Sequence, residues 1–365
     1  MKRRELIGAA GLGLAALGLS ACKQEEQQAP ASAGKPEQQR FEWKMVTAWP
    51  KNFPALGTGA QRFADIVTRM SGGRLTIKVF AGGELVPPME VFDAVSRGTA
   101  EIGHGAAYYW KGKVAAATFF TTVPFGLSAQ EMNAWLHKGG GQALWDEAYA
   151  PFGVKPFACG NSGMQMGGWF NKRIDKVEDL AGLKIRMPGL GGEVLAKLGA
   201  TPVIMPGSEI FTALQTGAID ATEWIGPYND LAFGLHKAAS YYYAPGWQEP
   251  QAVLELLINQ TALNQLPDDL AAIVVEAARS CNADMLDDFT FNNAQALQSL
   301  KTEGVEFAQF PDEVIKALRT ASEEVLDDFA AQSDLGSRIW ASMKAFRAQA
   351  SELSALTEQQ LYNWR

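Results

Sequence analysis

The sequence predicts an α/β protein of two lobes, with a long helix behind them and further helices at the C-terminal end. Three observations support this prediction. Strand and helix periodicities alternate at the start of the folded region, one helix–glycine–strand unit occurs twice, and a helical pattern runs from Asp268 to Glu303 without a glycine or proline. Alternating strands and helices are typical of parallel sheets, and a repeated unit favours two lobes of similar construction.

The first 21 residues have the features of an export signal rather than of a folded element. Three basic residues at positions 2–4 precede an apolar run at positions 6–19 that is short for a membrane span. The next motif, LSAC, resembles a lipobox, in which Cys22 is acylated and tethers the chain to a membrane. Ordinary cleavage at this site is the alternative. Residues 22–40, rich in Gln, Glu, Ala and Pro, are predicted to form a flexible tether.

Composition restricts the classes of function. The chain has 365 residues, 47% apolar content and a formal net charge of −8 at pH 7. This apolar content is ample for two domains, and the negative charge argues against nucleic acid as a partner. The sequence contains neither HExxH nor CxxC, so a zinc or thiol enzyme is poorly supported. For Cys159 and Cys281, a disulfide and a pair of buried thiols both remain open.

Residues 41–80 are predicted to form a strand, a helix and a second strand. Apolar residues occupy every second position from Phe41 to Met45, which is the period of a strand with one buried face. From Phe63 to Met70 they recur at i, i+3, i+4 and i+7, and two glycines end this helical pattern. Residues 75–80 alternate again, which completes the opening of a parallel sheet.

The repeated unit reads PPMEVFDAVSRGTAE from Pro87 and PGSEIFTALQTGAID from Pro206. In both copies a proline precedes a helix, a glycine ends it, and an acidic residue leads into a short strand. Ligands of open α/β sheets bind beyond the carboxyl ends of the strands. We therefore expect residues 103–110 (GHGAAYYW) to face residues 222–227 (TEWIGP) across a cleft. Chance similarity of two capped helices is the alternative.

The remaining elements connect and support the two lobes. Residues 241–259 are predicted to contain a crossover strand that ends in a buried run from Val253 to Ile258. The helix that starts at Asp268 is long enough, at about 1.5 Å per residue, to lie behind both lobes. Apolar residues spaced by four and three from Ile339 to Leu353 form one stripe, which packs either on the body or on a second subunit.

Candidate ligand-binding residues lie in two segments. In the first, residues 161–189, Gln165 and Arg186 offer an amide and a permanent cation. Arg186 ends a predicted strand and is expected to face outward, where its planar donors suit a carboxylate. In the second, Glu223 precedes Trp224 at an apolar strand end, where burial is costly unless a cation lies nearby. The alternatives are a surface salt bridge for Arg186 and an amide satisfied by the backbone for Gln165.

A hard cation takes oxygen ligands, which Gln165, Glu223 and the bound ligand would supply, with Glu249 as a further candidate. Asn161, at the start of the first segment, is a further candidate for substrate contact. Aromatic candidates for the wall of an apolar pocket are Tyr108, Tyr109, Trp110, Trp224 and Trp247. Ordinary core packing is the alternative for each of them.

Two joined motifs, EDLAGLKIRMPG and AKLGATPVIMPGSEIFTALQTGAIDATE, resemble the periplasmic substrate-binding subunits of TRAP transporters. The resemblance spans nearly the whole chain after the leader. It implies a periplasmic binding protein whose two α/β lobes are linked by crossing strands and a long helix. In that family the lobes close around an organic acid and deliver it to a sodium-driven membrane permease. The resemblance implies binding rather than catalysis.

Two positions resemble one branch of this family. Gln165 stands where the sialic-acid and dicarboxylate binders have an arginine for the substrate carboxylate, and Trp224 stands where they often have asparagine. Glutamine and tryptophan are similar to a branch that binds small 2-oxo or 2-hydroxy monocarboxylates with a metal cation. On that resemblance Arg186 holds the carboxylate. Gln165, Glu223 and the Trp224 carbonyl hold the cation, with sodium favoured and calcium as the alternative.

The resemblance also implies an organisation. We expect lobe I at 41–150 with about 225–265, lobe II at 151–224 with about 266–310, and C-terminal helices at 311–365 that permit a homodimer. The expected function is a lipid-anchored periplasmic receptor for a pyruvate-like acid. Alternatives are a receptor for a larger aromatic or sugar acid, an exported enzyme acting on oxo acids, and a purely structural lipoprotein.

Overall fold

Residues 39–365 are described by a computed structural model. The predicted signal peptide, Cys22 and nearly all of the predicted tether lie outside these residues. Within the described range, none of the helices combines the length and the apolar character that a membrane span requires.

Strands and helices alternate along the described chain. The strands are β1 Phe41–Thr47, β2 Leu75–Phe80, β3 Ile102–Gly105, β4 Val154–Asn161, β5 Gly168–Phe170, β6 Lys184–Arg186, β7 Thr201–Val203, β8 Ala221–Thr222, β9 Tyr241–Ala244, β10 Val253–Asn259 and β11 Glu306–Gln309. The helices are α1 Leu56–Met70, α2 Val91–Ser96, α3 Thr118–Thr121, α4 Ala129–Lys138, α5 Gly141–Tyr149, α6 Gly189–Lys197, α7 Gly207–Gln215, α8 Pro227–Phe233, α9 Gln260–Asn264, α10 Asp268–Thr302, α11 Asp312–Ala330, α12 Asp334–Leu356 and α13 Glu358–Asn363.

The strands form two sheets, which confirms the predicted two-lobed α/β fold. The first sheet has the order β2-β1-β3-β10-β4, and the second has the order β11-β9-β5-β8-β6-β7. In the first sheet β1 pairs in parallel with β2 and β3, while β10 is antiparallel to both its neighbours. In the second sheet β6 is parallel to β7 and β8, while β5 is antiparallel to β8 and β9.

The chain passes between the sheets three times, twice through short segments and once through α9 and α10. Residues 162–167 lead from β4 to β5, and residues 245–252 lead from β9 to β10. The two crossings are hydrogen-bonded to each other, for example from the Ser162 amide to the Ala252 carbonyl at 3.0 Å and from the Gly246 amide to the Gln165 carbonyl at 2.9 Å. The crossing strands of the prediction are therefore present as one bonded pair.

The predicted lobe boundaries assign two strands, β4 and β9, to the wrong sheet. β4 pairs with β10 in the first sheet, although it follows the boundary predicted at residue 150. β9 pairs with β5 in the second sheet, although residues 225–265 are predicted in lobe I. Local periodicity predicts that a strand forms, whereas its partner is decided by contacts with distant strands.

The repeated unit is present once in each sheet. Pro87 precedes a 3-10 turn and α2, Gly98 follows with a φ of +72°, and β3 joins the first sheet. Pro206 precedes α7, Gly217 follows with a φ of +74°, and β8 joins the second. Both glycines adopt the left-handed conformation that glycine tolerates best. The repeat thus positions corresponding strand ends in the two lobes.

Helices cover the sheets as their apolar patterns predict. α1 buries Phe63, Ile66 and Val67, although Met70 in its last turn is 53% exposed. α10 has 35 residues, about 50 Å of helix, and packs against β4 and α1 as well as against α8. It therefore lies behind both parts of the fold. In the C-terminal stripe, Ile339 and Met343 are buried and Phe346 packs against the core, whereas Leu353 is 64% exposed.

Candidate functional site

The candidate site lies where strand ends of both sheets meet the two crossings. Arg186 ends β6 and is in register with Thr222 of β8, so Glu223 follows at the same edge of the second sheet. Tyr108 and Tyr109 follow β3 of the first sheet in a 3-10 turn. Arg186 and Glu223 lie close enough to both tyrosines to influence their ionisation. The two segments expected to face each other therefore do so.

Arg186 forms a buried ion pair with Glu223. Nη1 of Arg186 contacts Oε1 of Glu223 and also donates to the Glu223 backbone carbonyl at 3.0 Å. Both side chains are 1% exposed, so the prediction that Arg186 faces outward is wrong, and so is the surface salt bridge. The opposite lobe covers this edge of the sheet. Among the described residues, Nε and Nη2 of Arg186 and Oε2 of Glu223 have no hydrogen-bond partner.

Gln165 and Glu249 come from the two crossings and contact each other. Nε2 of Gln165 donates to Oε2 of Glu249 at 2.8 Å and to Oγ of Ser162 at 3.0 Å. These bonds use both amide hydrogens, and Oε1 of Gln165 is left as a buried acceptor without a donor in the described chain. Ser162, for which the sequence predicts no role, thus orients the Gln165 amide.

The site holds one guanidinium and two carboxyl groups, all buried. Burial raises the pKa of Glu223 to about 7, against the opposing effect of Arg186. Burial raises the pKa of Glu249 well above its ordinary value, and repulsion from Glu223 raises it further. Burial also raises the pKa of Tyr109 to about 12, although Arg186 opposes this. A further anionic group is therefore costly here unless positive charge accompanies it.

Aromatic rings form the apolar wall of the site. Tyr108 and Tyr109 pack edge to face at 5.0 Å between ring centroids. The Arg186 guanidinium lies 5.1 Å from the centroid of the Trp224 ring, within the range of a cation–π contact. Gly207, at the start of α7, lies under this ring, and a Cβ atom there would stand 2.5 Å from it. Only glycine allows the helix to approach Trp224 so closely.

Two other predicted candidates support the crossings. Asn161 donates from Nδ2 to Oε1 of Gln251 at 2.8 Å and accepts from the Gly163 amide at 2.9 Å. Its side chain therefore ties the start of one crossing to the end of the other. Trp247 packs against Phe125 with 5.9 Å between ring centroids, within the core of the second sheet. We therefore interpret both residues as supports for the loop that carries Glu249.

Glu255 is a buried carboxyl group behind Tyr108 and Tyr109, and the sequence predicts no role for it. It lies in β10 and accepts from Nε1 of Trp110 at 2.8 Å and from the Tyr149 hydroxyl at 2.9 Å. Trp110 directly follows the tyrosines of the site, so Glu255 fixes the turn that carries them. The single acid inside the apolar run VLELLI was the only available signal.

Asp230 has the corresponding role behind Trp224, on the side of the second sheet. It lies in α8 and accepts from Nε1 of Trp169 at 2.9 Å and from the Tyr242 hydroxyl at 2.6 Å. It also accepts from the Ile225 amide at 3.3 Å, directly after Trp224. On each side of the site, one buried acid thus accepts hydrogen bonds from one tryptophan and one tyrosine.

The Glu255 carboxyl predicts a pH dependence of stability. Burial raises its pKa from 4.5 to about 8, so the folded chain binds more protons than the unfolded chain between these values. The free energy of unfolding should therefore fall as the pH rises through this window, by up to about 1.4 kcal/mol per pH unit from this group. Urea denaturation of wild type and Glu255→Gln between pH 5 and 8 isolates the effect. A difference between the two proteins that stays constant with pH would contradict it.

The donor atoms of the site suit a hard cation. Within residues 39–365, no three side chains of His, Cys, Asp or Glu are grouped so that they alone would hold a metal ion. Gln165 Oε1 and Glu223 Oε2 are nevertheless buried oxygens without a protein donor. Amide and carboxylate oxygens are the ligands that sodium or calcium would accept. The residues present therefore fit a cation that is completed by oxygens of a bound acid.

The chain resembles known proteins over most of its length. Residues 45–333 match the family described as bacterial extracellular solute-binding protein, family 7. The monocarboxylate 2-oxoacid-binding periplasmic protein of Nostoc sp. is 43% identical over 96% of this chain and 94% of its own.

Two solved structures share the fold. A TRAP periplasmic solute-binding protein from Pseudoalteromonas atlantica, with bound sodium and pyruvate, has a TM-score of 0.87 and 42% identity over 89% of this chain and 99% of its own. A TRAP solute-binding protein from Bordetella bronchiseptica has a TM-score of 0.88 and 37% identity over 89% and 97%. It is a mixed-occupancy dimer, with copurified calcium and picolinate in one active site and an apo site. This chain belongs to family 7 of the bacterial extracellular solute-binding proteins, the periplasmic solute-binding proteins of TRAP transporters.

Proposed function

We propose that this chain is the receptor of a TRAP transporter for a small 2-oxo monocarboxylate, pyruvate or a close analogue, and that it binds the acid together with a metal cation. One observation carries the proposal. The buried guanidinium of Arg186 lies with two buried carboxyl groups, those of Glu223 and Glu249. At the same place, Oε1 of Gln165 and Oε2 of Glu223 have no donor in the described chain. The similarity to proteins described with 2-oxoacids or pyruvate supports the choice of acid.

Arg186 holds the carboxylate of the acid in this proposal. Its Nη1 is occupied by Glu223, whereas Nε and Nη2 are buried donors without a hydrogen-bond partner in the described chain, and the Tyr109 hydroxyl lies next to the guanidinium. Two parallel donors on one guanidinium match the two oxygens of a carboxylate. The Trp224 ring beneath the guanidinium keeps its plane fixed.

Gln165, Glu223 and the Trp224 carbonyl hold the cation in this proposal, with Glu249 as a further ligand. The cation offsets the negative charge that the acid adds beside the two carboxyl groups. A carboxylate oxygen and the 2-oxo oxygen of the acid complete the oxygen shell. Sodium is the cation that we favour, and calcium is the alternative. Each has been found in a structure of this fold.

The wall of Tyr108, Tyr109 and Trp224 favours a small acid. All three side chains pack closely at the site, and Tyr108 and Trp224 are almost fully buried. An aromatic acid is the second candidate, because the Bordetella protein was found with picolinate. A planar ring carrying one carboxylate would make the same contact with Arg186.

A panel of acids tests the proposed ligand. In sodium-containing buffer with calcium added, calorimetry should find pyruvate bound most tightly. Propionate has the same carbon skeleton without the oxo oxygen, so it should bind at least about tenfold more weakly. Succinate adds a second carboxylate that no buried cation pairs, and we expect a loss of roughly a hundredfold. Equal binding of succinate would contradict the proposal, and tighter binding of picolinate would favour the second candidate.

The remaining parts of the proposal concern transport. The receptor is tethered outside the cytoplasm through Cys22, its lobes close by rotation at the two crossings, and it delivers the acid to a sodium-driven permease. Two copies pair through their C-terminal helices. The exposed apolar side chains at the end of the chain support pairing, since Leu353, Leu356 and Trp364 are 64%, 74% and 80% exposed.

A further inference from the structure

Two cysteines meet in the core at a place that the binding site does not use. Cys159 lies in β4 and Cys281 lies in α10, which packs directly on that strand. Both thiols are free and buried, and both side chains belong to the same apolar cluster between β4 and α10. The neighbouring positions show how closely strand and helix approach, because a Cβ atom on Gly160 would stand 2.4 Å from Sδ of Met285. Strand and helix are therefore in close contact at this pair.

The two thiols differ in access. Cys281 lines a cavity of about 350 Å³ together with Arg62 and Asp284, whereas Cys159 is fully buried in β4 and does not line it. The neighbouring Cys159 thiol lowers the pKa of Cys281, and the Arg62 cation lowers it further, while burial opposes both. Burial raises the pKa of Cys159. Cys281 is thus the thiol that a small reagent reaches and the one that ionises more readily.

We propose that Cys159 and Cys281 are a disulfide-forming pair, oxidised after export by a disulfide-bearing donor. The thiolate of Cys281 attacks one sulfur of the donor disulfide and expels the other sulfur as a thiolate. Cys159 then loses its proton and attacks Sγ of Cys281, which expels the second donor sulfur. This chain loses two hydrogen atoms in total, and the donor disulfide is reduced to two thiols. Compartments outside the cytoplasm are those in which such bonds persist.

The bond would join the strand that leads into the first crossing to the helix behind both lobes. It would close a long loop of the unfolded chain, which stabilises the fold by restricting that ensemble. We expect the melting temperature to rise by roughly 5 °C or more. Both side chains already lie in one core cluster, so the bond should leave the site residues in place, and the affinity for the bound acid should change less than about twofold.

Oxidised glutathione is the probe for this pair. The experiment uses the full chain with Cys22→Ser, which leaves only the two buried thiols, and it measures intact mass, thiol labelling after denaturation, and thermal melting. The native protein should lose two hydrogen atoms and both reactive thiols, and a reductant should restore them. Cys159→Ser should accumulate a glutathione adduct at Cys281, whereas Cys281→Ser should stay unmodified.

Three outcomes would overturn the proposal. They are retention of both thiols by the folded protein, a stable adduct on both cysteines without a bridge, and bridging only in denaturant. If either serine variant fails to fold, the mass and labelling of the protein with both cysteines still decide between these outcomes. None of the readouts depends on which acid the site binds.

Discussion

Replacing Arg186 with lysine is expected to weaken pyruvate binding by roughly a hundredfold or more. Lysine keeps the charge and can still pair with Glu223, but it cannot present two parallel donors to a carboxylate. A hydrogen bond to a charged group contributes about 1.5–3 kcal/mol, so the loss of one or two such bonds gives this range. Calorimetric titration with pyruvate at saturating cation measures the effect.

Arg173→Lys is the matched control for this substitution. Arg173 also lies in the second lobe and pairs with an acid, Glu306, but its side chain is 50% exposed and lies away from the site. We expect the affinity of the Arg173→Lys variant for pyruvate to stay within about twofold of wild type. Thermal melting checks that both variants are folded. If Arg186→Lys binds pyruvate as tightly as wild type does, Arg186 does not hold the carboxylate.

Replacing Glu223 with glutamine is expected to remove most of the cation dependence of binding. The substitution keeps the size of the side chain and an oxygen, but it removes the negative charge beside the proposed cation. It also frees the Arg186 guanidinium from its ion pair, which favours a carboxylate without any metal. In wild type, the cation should raise the affinity for pyruvate by roughly a hundredfold. In the variant, the cation should raise that affinity by less than about threefold.

Glu306→Gln controls for the loss of one negative charge in the same lobe, since Glu306 is 53% exposed in its ion pair with Arg173. It should keep the full cation dependence of wild type. A Glu223→Gln variant with an undiminished response to cation would show that the ion binds elsewhere.

The fold was predictable where local pattern decides it. The alternation from Phe41 to Met45 and the two repeated units gave strands and helices that the structure contains. Local pattern does not decide which sheet a strand joins, and β4 and β9 were therefore expected in the wrong lobe. β4 joins the first sheet because it pairs with β10, and β9 joins the second sheet because it pairs with β5. Each partner is distant in sequence, so local pattern does not identify it.

The proximity of the candidate site residues was predictable from the sequence, but their environment was not. Arg186, Gln165, Glu223 and Glu249 lie together, as their types and the family resemblance implied. Burial of Arg186 was missed because the covering surface comes from the other lobe. The supporting acids behind the walls were missed for a similar reason, since the indole and hydroxyl donors of Glu255 lie more than one hundred residues before it.

Joint binding of a cation and the acid at one site is the central feature of the proposed function. Calorimetric titration of pyruvate into protein stripped with a chelator, in sodium-free choline buffer and then with sodium or calcium restored, tests this claim directly. We predict little or no binding in the absence of both cations and tight binding, with one acid per chain, once either is restored. Equal affinity for pyruvate with and without cation would contradict the account.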